Sequence, residues 1–229
     1  MANDVEAIVS QVLADPPLVH SVFNEQGRET DNVMVWSTEA ECYRLMGERC
    51  TEGSRTFETG LGASTALFAK LRTEHVCIAY RANEVERFRE YCGARGMSAD
   101  RISFHVGQSE FIVPGLDLAD LDLVFIDGGH GFPTPIIDWF YAAGHLRKGG
   151  TLVLDDTPLP AVGILMSFLD RDARWVKLAR TEKWAAYERA SEGTLGEDWW
   201  AQKEFFGPAP PLRTSFLSRV RRRLGRLVR

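Results

Sequence analysis

The apolar positions of the chain follow helical spacing at first and then alternate between strand and helix rhythms. From Asp4 to Leu13, Val5, Ile8, Val9 and Val12 share one face, which predicts a short amphipathic helix. The polar stretch from Asp15 to Asn32 reads as loop. A second helix is expected over Glu39 to Glu48, with Thr38 as its cap and Glu41 at capping-box spacing. From residue 54 onward apolar strands alternate with amphipathic helices. Strands are expected at Arg55–Thr59, Val76–Tyr80, Ile102–Val106, Leu121–Ile126 and Thr151–Leu154. Helices are expected at Ala63–Leu71, Glu84–Arg95, Pro135–Leu146 and Val162–Leu169, with Gly149-Gly150 ending the third of these. Strands this apolar need cover on both faces, so the expected fold is α/β with a mostly parallel sheet. The closely spaced segments Trp175–Ala179 and Lys183–Tyr187 read as an antiparallel pair closing one edge.

This rhythm places the core at residues 51–192, with residues 1–50 as a helical cap of the same domain on the substrate side. A Gly/Pro-rich, irregular linker follows at 193–212, and a tail at 213–229. With 229 residues the chain suits one domain with a buried core. Its apolar runs fall far short of the roughly 18–20 residues of a membrane span. No basic and apolar leader is visible at the N-terminus, and Cys42, Cys50, Cys77 and Cys92 show no C-x-x-C spacing. The expectation is a cytoplasmic protein with reduced thiols.

Charge changes the picture in one respect. The chain carries a net −5, but residues 213–229 hold seven arginines and no other charged side chain, which leaves −12 on the rest. A body so acidic repels a phosphate backbone, which argues against nucleic acid as the main substrate. In the tail, Phe216, Leu217, Val220, Leu224, Leu227 and Val228 fall on one helical face and the arginines on the other. Three readings of it stay open: peripheral contact with an anionic membrane, docking on this or a neighbouring subunit of a homodimer, and disorder until bound.

Two constellations carry chemistry. Glu58-Thr-Gly60-Leu-Gly62-Ala-Ser64-Thr65 stands where the first core strand turns into its helix. Glycines there let a ligand approach the backbone, and the helix start offers free N–H groups. The second constellation is formed by Phe125-Ile-Asp127-Gly-Gly-His130 and Leu154-Asp155-Asp156, at the ends of the fourth and fifth strands. Adjacent parallel strands bring Asp127, Asp155 and Asp156 together. Three carboxylates in one place repel unless protonated or bridged by a cation, and an all-oxygen set suits Mg²⁺ or Ca²⁺. Helix capping and backbone hydrogen bonding are the plainer roles for the same residues.

The first constellation resembles the opening motif of class I S-adenosylmethionine (SAM) dependent methyltransferases. The resemblance implies a Rossmann-like fold and a SAM site lined by Glu58, Gly60, Gly62 and Ser64. His105-Val-Gly107-Gln108-Ser109-Glu110 is similar to the family's adenine-contacting segment, which adds Gln108 and Ser109. The second constellation resembles the metal-dependent small-molecule O-methyltransferases of catechol and caffeoyl-coenzyme A type, and the bacterial Phe-Ile-Asp-Gly-x-His methyltransferases. In that pattern Asp127, Asp155 and Asp156 hold a divalent cation, Mg²⁺ by preference, and His130 takes the base's place. The implied activity is O-methylation of a small hydroxylated acceptor. The sequence departs from the family after the second core strand: Ala79-Tyr80-Arg81-Ala82-Asn83 has no ribose-binding acid before Glu84. Tyr80 and Glu84 are the candidates to replace it. The same departure, with Thr65 at the third glycine position, argues against a nicotinamide dehydrogenase. Two alternatives remain: a metal-independent methyltransferase with His130 alone as base, and a non-catalytic binding or regulatory protein on this scaffold.

Overall fold

The computed structural model describes residues 4–192 and Leu195. The tail at 213–229 and nearly all of the 193–212 segment lie outside the described residues.

The chain opens with helix α1 (Val5–Ala14), the strand pair β1 (His20–Phe23) and β2 (Glu29–Met34), and helix α2 (Ala40–Glu48). The core then alternates β3 (Arg55–Thr59), α3 (Ala63–Leu71), β4 (Glu74–Ala79), α4 (Ala82–Ala94), β5 (Ile102–Val106), α5 (Ser109–Ile112) and β6 (Leu121–Ile126). After α6 (Thr134–Asp138), a π-helical turn (Trp139–Ala143) leads into β7 (Leu146–Leu154), α7 (Pro160–Leu169), β8 (Trp175–Arg180) and β9 (Ala185–Arg189). Seven strands form one sheet in the order β5-β4-β3-β6-β7-β9-β8. β9 runs antiparallel to both neighbours and the other pairings are parallel, so the expected edge pair is present.

Alternation along the central strands decides which side chains meet which layer. Leu123 and Phe125 of β6 and Val153 of β7 point to one face, where α1 to α4 supply Val9, Met46, Leu67 and Phe88. Val124, Ile126, Leu152 and Leu154 point to the other, against Trp139, Leu165 and Met166. Each large apolar side chain fully buried in this way stabilises the fold by about 1.5–3 kcal/mol. The order of the strands reverses between β3 and β6. In an open α/β sheet such a crevice, at the carboxyl ends of the strands, receives the ligand.

Three expectations need correction. The stretch from Asp15 to Asn32 is not all loop, because β1 and β2 pair antiparallel within it. Their turn is local: Asn24 Oδ1 accepts from the N–H groups of Gln26 (3.1 Å) and Arg28 (2.9 Å), and Gly27 takes φ +70°. What holds the pair down is tertiary, since Arg87 on α4 donates to Val19 O (2.9 Å) and Ser21 Oγ (2.8 Å). Thr38 does not cap α2; Glu39 stands at that position and makes no side-chain cap. The helix expected to reach Leu146 ends sooner, and β7 begins there. Gly149 (φ +80°) and Gly150 do not stop a helix. They let β7 bulge where its pairing with β6 jumps from Leu121↔Leu146 to Leu123↔Thr151.

Candidate active site

The strand ends are fixed by hydrogen bonds that continue the sheet ladder one residue beyond it. Gly60 N donates to Ile78 O (3.0 Å), Asp127 N to Thr59 O (3.0 Å) and Asp155 N to Ile126 O (3.1 Å). Above them opens a cavity of about 620 Å³. Gly60, Gly62, Ser64, Tyr80, Ser109, Asp127, His130, Asp155 and Asp156 all line it, so the structure gathers nearly every residue singled out above. Two differ. Glu58 is fully buried beneath the floor, and Gln108, just before α5, is not on the wall.

Glu58 organises the glycine loop from below. Its Oε1 accepts from Thr65 Oγ1 and lies 3.0 Å from His75 Nε2, while Thr65 Oγ1 accepts from Gly62 N (2.9 Å). The loop is thereby tied to the start of α3. Gly60 has φ +101°, and a Cβ there would stand 2.6 Å from Asp127 O. Glycine is required at that position because two strand ends pass so close. At Gly62 a Cβ would meet only ordinary contacts, Trp36 O at 3.5 Å and His20 Nε2 at 3.9 Å.

Glu84 now has a place. It is buried at the third position of α4, receives Arg81 N–H (3.2 Å), lies 3.4 Å from His20 Nδ1 and lines the cavity. A carboxylate therefore stands beside the exposed Tyr80 although none ends β4. The β1–β2 pair and the residues after it supply a further wall: His20, Met34 and Trp36 line the same space.

At the opposite end the acids converge with a histidine and a lysine. His130 Nε2 is 3.0 Å from Asp156 Oδ2. Asp156 has φ +52°, a costly conformation for a non-glycine residue, which aims its carboxylate into the site. Lys183, between β8 and β9, pairs with Asp155 Oδ2 at 3.1 Å and with Asp156 Oδ1, and Thr38 Oγ1 donates to Asp155 Oδ1 (2.7 Å). Burial, with the charges of Asp155 and Asp156, pushes the Asp127 carboxyl well above the usual carboxylate range, although Lys183 pulls the other way. Burial alone would lower the Lys183 ammonium, but the two aspartates outweigh it and hold it above its ordinary value. Sequence reasoning missed Lys183 and Thr38. Neither sits in a motif, and they reach Asp156 and Asp155 across 27 and 117 residues.

The donor set answers differently for the two groups the resemblance implies. SAM fits: Gly62 and Ser64 open the start of α3 onto the cavity, and Glu58 Oε2 is buried without a partner among the described residues. The carboxylate trio does not fit a divalent ion as a set, because both Asp155 oxygens and both Asp156 oxygens already face Thr38, Lys183 or His130. A different trio, Asp127, His130 and Asp156, has its ligand atoms within 4.8 Å of one another.

The doubly wound sheet, with one antiparallel strand near its edge and a glycine loop at the crevice, defines the class I methyltransferase fold. Residues 57–157 match the family described as a methyltransferase domain. By structure the chain is similar to a methyltransferase from Geobacter sulfurreducens, at 19% identity and TM-score 0.54 over 83% of this chain and 91% of that one. It is also similar to TomG of Streptomyces achromogenes, an O-methyltransferase of tomaymycin synthesis in complex with SAM (19% identity, TM-score 0.54, 68% and 82% of the two chains). A third is the methyltransferase PaMTH1 of Podospora anserina, bound to S-adenosylhomocysteine (SAH), at 18% identity and TM-score 0.54 over 68% and 80%. Among curated protein sequences none matches. Residues 57–157 thus carry a methyltransferase-domain match, and the fold as a whole is that of the class I SAM-dependent methyltransferases. Among the described residues no helix is long and apolar enough to cross a membrane.

Proposed function

We propose that the chain transfers the methyl group of SAM to a hydroxyl oxygen of a small acceptor, with His130 as general base. The observation that carries this is the His130–Asp156 pair, 3.0 Å apart, on the wall of the cavity that the glycine loop also lines. SAM, when bound, supplies a methyl carbon made electrophilic by its sulfonium. The chain's part is to hold and deprotonate the acceptor in line with it. Asp156 accepts the Nε2 proton of His130 and fixes the ring, which leaves Nδ1 a lone pair for the acceptor's proton. As the O–CH₃ bond forms and the S–CH₃ bond breaks, that proton resides on His130 and is released to solvent afterwards. Glu84 is suited to the ribose hydroxyls, and Tyr80 and Ser109 to the nucleoside. Trp36 and Met34 are suited to covering the acceptor.

Calorimetric titration with SAH, followed by labelled-methyl transfer to a panel of hydroxylated small molecules, tests this reading. His130→Ala should lower turnover by about 10²–10⁴-fold and leave SAH affinity unchanged. Absence of SAH binding would remove the methyltransferase reading, and equal turnover in the alanine variant would remove His130 from the chemistry. The proximity of Asp127, His130 and Asp156 favours a second reading. In it these three hold Mg²⁺, which would supply charge stabilisation to the acceptor oxygen. Loss of turnover in excess EDTA, restored by Mg²⁺, is its signature.

A further inference from the structure

The cluster at the ends of β6 and β7 gathers three carboxylates, whose repulsion is relieved by protonation or by positive charge. The structure delivers it from an element outside both motifs. The turn between β8 and β9 is fixed by Thr181, whose Oγ1 accepts from Lys183 N (3.0 Å) and Trp184 N (3.1 Å). Lys183 O in turn accepts from Thr157 N (3.0 Å), and Thr157 Oγ1 donates to Glu182 O (3.0 Å). The backbone that carries the ammonium is thus tied directly to the residue following Asp156. Trp184, buried and bonded through Nε1 to Glu39 Oε2 (3.0 Å), anchors the turn from its far side. Lys183 Nζ then reaches both Asp155 and Asp156 and lines the cavity beside Asp127 and His130.

We infer that Lys183 is the resident cation of this site, a positioning residue whose ammonium stands where a divalent ion would otherwise bridge Asp155 and Asp156. It holds Asp156 as the acceptor for His130, and methyl transfer proceeds without metal. This rests on the base reading above, and it changes what the carboxylates are for. They form the seat of a lysine, whose single charge and fixed tether cannot be chelated away. A metal at Asp156 would have to displace the ammonium or bear its repulsion.

The decisive measurement is calorimetric titration of Mn²⁺ into the full-length protein saturated with SAH, near neutral pH. The parent and Lys183→Arg, which keeps the charge, should give no binding heat, and turnover of both should be indifferent to EDTA. Lys183→Met should bind Mn²⁺ at least about tenfold more tightly than the parent. Adding Asp127→Asn to that variant should abolish the gain. A methionine variant with no gain, or a parent that binds Mn²⁺ as tightly as the variant does, overturns the inference. Should Lys183→Met not fold, the parent decides: silence toward Mn²⁺ and EDTA supports the inference, and a metal-bound or EDTA-sensitive parent overturns it. SAH titration of the same samples reports separately on the methyltransferase reading. If SAH fails to bind, that reading falls, and the Mn²⁺ comparison still decides what Lys183 does.

Discussion

At the scale of single residues, the two glycines of the loop serve different ends, and substitution separates them. Gly60 is a structural necessity, with φ +101° and Asp127 O only 2.6 Å from any added Cβ. Gly60→Ala should therefore lower the melting temperature, with strain of about 1–3 kcal/mol, and so cannot report on ligand approach alone. Gly62 faces the cavity in extended backbone with room around it. Gly62→Val should keep the melting temperature close to the parent's and weaken SAH binding, because the added methyls fill the approach to α3. Calorimetry and thermal unfolding of the two variants check this, and a Gly62→Val protein that binds SAH as the parent does would place the ligand elsewhere. Asp127, His130, Asp155 and Asp156 were legible in the sequence because all four lie within four residues of the end of a recognisable strand. Lys183 and Thr38 were not, since they reach the site by long-range packing and their local sequence carries no chemical signature.

At the scale of elements, the β1–β2 pair shows how a polar segment becomes part of a site. Few of its residues are buried, and its alternation is too weak to announce strands. It persists because α4 offers Arg87, which binds Val19 O and Ser21 Oγ and lies 3.5 Å from Glu29. Arg87→Ala removes the bonds to Val19 O and Ser21 Oγ and leaves Asn83 Nδ2 to Glu29 (3.0 Å) and the His20–Glu84 contact (3.4 Å) between the pair and the start of α4. Amides of residues 20–34 should then lose hydrogen-exchange protection while the central strands β3, β6 and β7 keep theirs. Unchanged protection in the pair would mean that its own ladder and the remaining contacts with α4 suffice. The misplaced start of β7 has a similar origin. A Gly-Gly pair after a helical pattern is a common stop signal, and only pairing with β6 shows that it accommodates a bulge.

At the scale of the whole molecule, one buried acid makes stability depend on pH. Asp138, fully buried where α6 meets the π-helical turn, accepts from Ser109 Oγ (3.0 Å). Burial raises its pKa from the usual 3.8 to about 7, more than hydrogen bonds from the Ser109 and Thr59 hydroxyls lower it. The folded chain thus keeps a proton that the unfolded chain releases near 3.8. Stability from this group is fully present below that value and is lost as pH rises toward about 7, after which it is level. The loss is at most about 4 kcal/mol. Asp138→Asn, neutral at every pH, should narrow the fall in unfolding free energy between pH about 4 and about 7 and be the more stable protein above it. Denaturant unfolding across that range checks the sign; a variant less stable than the parent at the alkaline end would contradict it.

The sequence by itself determined the alternating core, its parallel sheet with an antiparallel edge, and the two motifs at the strand ends. Those features are written in local periodicity and in glycine and aspartate placement, which act over a few residues. It also placed the carboxylates together, because parallel neighbours must end on the same side. Only the tertiary structure decided how the acids are compensated, that Glu84 lines the cavity although no acid ends β4, and that a polar segment walls it. Each of these depends on charges and hydrogen bonds between residues remote in sequence: Lys183 on Asp155 and Asp156, Thr38 on Asp155, Glu84 against His20, and Arg87 beneath β1. Such contacts arise only when the sheet order brings those residues within a few ångströms, and no periodicity in the chain encodes that distance.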